Sequence, residues 1–146
     1  MQACSDDDRL PPLRAAWEPQ FSAGHQLIDA QHRGLLSQCN QLADLCEHAG
    51  AEPGFQAFDQ AYEQLKALAR THFETELSLL ASANYPDLED HQFECDEFDY
   101  LSAEIVTAEN FDRVELQRFL TLWCVGHISG SAQQQAACLA GGQASG

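Results

Sequence analysis

From Phe21 onward the chain is interrupted by turn-forming residues at only three places: Ala49-Gly50-Ala51-Glu52-Pro53-Gly54, Asn84-Tyr85-Pro86-Asp87, and the stretch from Thr107 to Phe111. Between these breaks no alternating Val/Ile/Thr run signals a strand. Four segments of helical length joined by short connections favour antiparallel neighbours, so the expected fold is all-α, an up-down-up-down four-helix bundle. Each segment repeats inward positions at 3- and 4-residue spacing. The first stripe runs His25, Ile28, His32, Leu35, Cys39, Leu42, Cys46, and the second Phe58, Tyr62, Leu65, Ala69, His72, Glu76, Leu79. The third runs Leu88, His91, Cys95, Phe98, Ser102, Ile105, with Asp87 placed to cap it, and the fourth Leu116, Leu120, Trp123, His127, Gly130, Gln134, Ala137.

Histidine, glutamate and cysteine occupy stripe positions where Leu or Ile would otherwise pack. Burying a carboxylate and several imidazoles without partners costs several kcal/mol per group, so something must satisfy them. His72 and Glu76 stand four apart on one helix face, as do His91 and Cys95, and each pair points one way into the bundle. Folding the segments back and forth brings His32, His72/Glu76, His91/Cys95 and His127 into the same half of the bundle, within about 15 Å along its axis. One histidine or pair from each helix, with a core glutamate, is how bundles build a metal centre. His25 stands about 10 Å from His32 along the axis, too far to share its ion, and reads as a core or supporting histidine. His48, beside Gly50 at the end of the first helix, suits the negative end of the helix dipole.

The rest of the sequence excludes more than it identifies. A length of 146 residues with 45% hydrophobic content fits one domain. A formal charge of −16 disfavours nucleic acid and anionic lipid surfaces as partners. No apolar run approaches the ~20 residues of a membrane helix, and the opening Met1 to Asp8 has neither a basic nor an apolar leader region, so the expected location is cytoplasmic. There the six cysteines read as thiols or ligands rather than as a disulfide framework. Pro11, Pro12, Pro19 and an acidic cluster make residues 1–20 an expected extended arm, pinned by Trp17 and Phe21 and contributing little to the core before residue 17. Residues 21–140 form the expected bundle, and 141–146 an expected flexible tail.

The motifs resemble the hemerythrin family, in particular its single-domain bacterial members, the bacteriohemerythrins, from Trp17 to about Ser131. Phe21-Ser22-Ala23-Gly24 through Ile28-Asp29-Ala30-Gln31-His32 is similar to the family's first-helix segment, and His72-Phe73-Glu74-Thr75-Glu76 to its H-F-x-x-E. Tyr85-Pro86 precedes His91 as it does there, and Trp123 through His127-Ile128 resembles the W-x-x-x-H-I of the last helix. The resemblance implies a di-iron centre with five histidines and two bridging carboxylates that reversibly binds O₂. It carries over onto His32, His72, Glu76, His91 and His127.

Two positions depart from that pattern. The third-helix H-x-x-x-H is here His91-Gln92-Phe93-Glu94-Cys95, and Ala132 stands where the family has an Asp five residues after the last histidine. No Asp or Glu follows Glu115, so no neighbouring position of the last helix supplies the missing bridge. Cys95 is either a sixth ligand or a small core side chain. As a thiolate it would donate electrons more strongly than imidazole and move an iron site from carrying O₂ toward reacting with it. The expected cofactor is iron, two ions per chain, with one Fe or one Zn as the alternative. The expected ligand is O₂ or a related small diatomic or peroxide. Reduction of peroxide, superoxide or NO at a thiolate-perturbed iron site is the alternative activity, and oligomeric state is left open.

Overall fold

The computed structural model describes residues 10–48 and 52–139, with the side chains of 48 and 52–55 excluded. The start of the expected arm, the tail 141–146, Cys4 and the His48 side chain lie outside the described residues. Four helices follow a short 3₁₀ turn at Pro19–Phe21: α1 (Gln26–His48), α2 (Glu52–Ser82), α3 (Leu88–Val106) and α4 (Arg113–Gly130). The described residues include no strand. Helix α1 packs most extensively on α2 and then on α4, while α3 closes the bundle against both α2 and α4. The up-down-up-down bundle expected from the stripes is what forms.

Local chemistry sets the helix boundaries. Gly24 takes a positive φ of 76°, which turns the chain into α1. Asp29 then fixes that turn by accepting from Ser22 Oγ at 2.6 Å and from the Ala23 amide at 2.8 Å. His25 stands just before α1, half-buried, where its Nδ1 accepts from the Ile28 amide at 3.4 Å. It caps the helix rather than supporting the histidine cluster. At the end of α2, Asn84 adopts φ 58° and the Tyr85 amide reaches back to the Leu80 carbonyl at 3.0 Å, a Schellman closure. Asp112 caps α4 by accepting from the Val114 amide. Asp87 occupies the cap position of α3, but its side chain makes no capping bond.

The core fills the end of the bundle away from the histidines with Leu35, Leu42, Phe58, Leu65, Phe98, Leu116 and Leu120. Cys39 and Cys124 meet within it, sulfur to sulfur at 3.9 Å. The arm is tied to this core. Buried Gln117 donates to the Leu13 carbonyl and accepts from the Leu13 amide at 2.8 Å, and the Ala15 amide donates to Asn40. Arg14 pairs with Asp44 and Glu47. Ala15 and Trp17 pack on the core edge.

Helix α4 does not end as its stripe suggests. Residues Ser131–Gln135 form a π-helical turn, whose wider loop advances the inward face by one position. Ser131, Gln135 and Leu139 are buried, while Gln134 and Ala137, the expected stripe positions, are exposed. No helix among the described residues is long and apolar enough to cross a membrane.

Candidate metal centre

His32 on α1, His72 and Glu76 on α2, and His127 on α4 offer ligand atoms that all lie within 4.8 Å of one another, fully buried. His72 Nε2 is 3.0 Å from His32 Nε2 and 3.1 Å from His127 Nε2. The Glu76 carboxylate divides its two oxygens between two pairs of imidazoles. Oε2 faces His32 Nε2 at 3.5 Å and His72 Nε2 at 3.4 Å. Oε1 faces His91 Nε2 and His127 Nε2, both at 3.2 Å. Cys95 Sγ stands behind His91, 3.7 Å from its Nε2. Of the six expected ligands, four thus form a compact set, His91 joins through Glu76, and Cys95 lies against His91.

Hydrogen bonding accounts for only part of this convergence. Glu76 Oε1 has no hydrogen-bond partner, although two ring nitrogens stand at ion-pair distance from it. Buried imidazole nitrogens gathered around a carboxylate with one oxygen left unsatisfied suit a cation, and imidazole with carboxylate suits Fe or Zn.

Three residues that sequence reasoning missed support the cluster. His72 Nδ1 donates to Gln31 Oε1 at 2.8 Å, which leaves the Nε2 of neutral His72 bare toward the focus. Glu94 Oε2 stands 3.4 Å from His127 Nδ1, on the ring edge away from Glu76. Ser131 Oγ donates to Glu76 Oε2 at 3.1 Å. Ala132 is half-buried and brings no donor. Trp123 stacks on His127 at 5.0 Å and 10°, and Phe73 and Phe98 complete an aromatic wall against it. That wall keeps water from one side of the cluster.

The electrostatics are polarised. Burial pushes His32 down to about 4 and lowers His72 and His91 as well, so these imidazoles are neutral at neutral pH. Burial would do the same to His127, but the carboxylates of Glu76 and Glu94 outweigh it and raise its pKa to about 9. Burial opposes ionisation of Glu76, yet His127 and the surrounding imidazoles hold it well below the usual carboxylate range. Burial, then the charges of Glu76 and Glu94, push the Cys95 thiol up to about 12. Without a cation, Cys95 is a thiol.

A bundle that gathers buried imidazoles and a carboxylate from different helices is a cation-binding fold, and the comparisons agree. Residues 23–134 match the model of the hemerythrin HHE cation binding domain, and the chain belongs to that family. It is 27% identical over 117 residues to a bacteriohemerythrin of Clostridium acetobutylicum, an alignment covering 77% of this chain and 91% of that protein. No solved structure matches the chain.

Proposed function

We propose that this domain is a non-heme iron protein that binds O₂ or a related small diatomic or peroxide ligand. It holds two iron ions per chain through His32, His72, Glu76, His91, Cys95 and His127. The observation that carries this reading is the division of Glu76, with one pair of imidazoles facing Oε2 and another facing Oε1. That is the disposition a carboxylate needs to serve two ions at once. Iron bound there supplies the redox-active centre for the small ligand.

The protein's own residues have distinct tasks in this reading. Glu76 supplies negative charge to both sides of the cluster, and Ser131 holds its Oε2 in place. Gln31 selects the His72 tautomer that presents Nε2 inward. The aromatic wall of Phe73, Phe98 and Trp123 excludes water. With Ala132 in place of a second carboxylate, the cluster keeps room for an outside ligand.

A one-ion reading, with Fe or Zn, rests on the compact four-donor set, which is enough for a single tetrahedral ion. Reduction of peroxide, superoxide or NO rests on Cys95, whose sulfur lies against a candidate ligand. The experiment is a cycle of O₂ and argon over iron-loaded protein, followed by absorption. Spectra that change with O₂ and return with argon support the binding protein. Consumption of peroxide, superoxide or NO with turnover supports the enzyme instead.

A further inference from the structure

Two larger grooves, between α1 and α2 and between α2 and α3, include none of the six candidate ligands. A smaller cavity of about 290 Å³ between α3 and α4 does, because His91 lines it. Asp87, Asp90 and Glu94 stand on its α3 side, and no lysine or arginine lines it. We propose that this cavity is a loading port for a hydrated divalent cation, captured by Asp87, Asp90 and Glu94 and passed inward by Gln135 and His91 to Glu76. The proposal rests on the reading of the cluster as a metal centre and concerns how the ion reaches it.

Buried atoms without partners give the port its chemistry. Gln135 is 5% exposed and His91 3%, yet Gln135 Oε1 and His91 Nδ1 have no hydrogen-bond partner. Both residues line the cavity, so a side-chain amide and an imidazole are among the groups that bound a polar guest there. His91 also faces the interior, since its Nε2 is 3.2 Å from Glu76 Oε1. Glu94 spans the same interval: its side chain is 37% exposed, while Oε2 stands 3.4 Å from His127 Nδ1.

The backbone shapes the mouth. The π-turn brings Gln135 to the buried face, where a continued α-helical stripe would have placed Gln134. Gly130 lowers the α4 wall, since a Cβ there would meet nothing within 4 Å. The Asp87 carboxylate, unused in capping, is available to the cavity. Divalent ions take carboxylate and amide oxygens as ligands, and a cleft lined by one sign of charge raises the local concentration of the opposite ion. The port therefore admits cations and neutral small molecules and opposes anions.

The test is Co²⁺ uptake, followed by absorption in chelator-stripped full-length protein whose helical circular dichroism is retained. The pair Asp87→Asn and Asp90→Asn should slow initial uptake about fivefold at low salt. That deficit should vanish near 1 M salt, where the screening length is about 3 Å. Gly130→Leu, which narrows the mouth without changing charge, should slow uptake at every salt concentration. Final Co²⁺ content should match the parent in all of them. Glu109→Gln with Glu115→Gln makes the same charge change at the other end of the bundle and should load at the parent rate. Release of bound ion to phenanthroline from metal-loaded protein crosses the same mouth, does not need the stripped chain, and should be slowed by Gly130→Leu. Port variants that load and release at the parent rate would overturn the port alone, as would an equal slowing by the distant control pair. A parent that takes up no Co²⁺ would overturn the metal centre beneath it.

Discussion

Ser131 donates its hydroxyl to Glu76 Oε2 at 3.1 Å, tying the π-turned end of α4 to the carboxylate buried among the histidines. The bond holds one Glu76 oxygen toward His32 and His72 while the other faces His91 and His127. A hydrogen bond to a charged group contributes about 1.5–3 kcal/mol. Ser131→Ala should therefore keep its metal content but release the ion to a chelator about tenfold faster, because loss of a supporting hydrogen bond to a metal ligand generally weakens metal binding. Release at the parent rate would show that Ser131 does not hold the carboxylate in its binding position.

Proton competition should be legible in pH titrations. Before a cation binds, His127 carries a proton up to about 9, whereas burial keeps His32 neutral down to about 4. Binding thus displaces one proton from His127 and, with Cys95 as a thiolate ligand, a second from Cys95, so apparent Co²⁺ affinity should rise about a hundredfold per pH unit between about 6.5 and 9 and about tenfold per unit above that. Folding stability of the stripped protein follows from the same shifts. His127 is raised above its ordinary value of 6.5, so its contribution is fully present below that pH and lost as pH rises through about 9. His32 is lowered, so stability falls as pH drops from 6.5 toward about 4. Depressed Glu76 adds a contribution present above 4.5 and lost on further acidification. Thermal denaturation should peak near pH 6.5, and a Tm that is flat from 6.5 to 9 would contradict the pairing of His127 with Glu76.

Cys95 and Ala132 mark where this site departs from an all-histidine, two-carboxylate set. A cation near Cys95 opposes the burial that keeps its thiol protonated, so iron loading should bring a sulfur-to-iron charge-transfer band that Cys95→Ser abolishes. Cys95→His together with Ala132→Asp should make reversible O₂ uptake more durable than in the parent, whose adduct decays by bleaching or turnover. A parent that binds O₂ durably without the band would assign Cys95 to packing.

Truncation before Trp17 tests the arm. Loss of Leu13 leaves buried Gln117 without two of its bonds, at a cost of about 1–3 kcal/mol. Tm should fall, while metal content should hold, because none of these contacts reaches the histidines. Loss of metal on truncation would place the arm in the architecture of the centre.

The four helices were legible because apolar residues recur at helical spacing and turn-forming residues cluster between them. His32, His72, Glu76 and His127 were legible because polar side chains on such stripes demand partners, and the structure gathers these four. The end of α4 was not. Nothing in Ser129 to Gln135 distinguishes a π-turn from a continuing α-helix, so the stripe extends to Gly130 and Gln134 on paper while the fold buries Ser131 and Gln135. The spacing of Ser131, one turn beyond His127, was the available signal. Glu94 had none, as one of 23 acidic residues. Its proximity to His127 depends on how α3 sits against α4, which periodicity does not specify.

In the proposed centre Glu76 joins two metal ions within one chain. Elemental analysis of the protein purified without added metal, set beside Glu76→Ala, tests it most directly. The parent should contain close to two iron ions per chain, and Glu76→Ala should lose at least one and melt at a lower temperature, because bound metal adds to folding stability. A parent without Fe, Zn, Mn or Cu, or a Glu76→Ala variant with full metal content and an unchanged Tm, would contradict it.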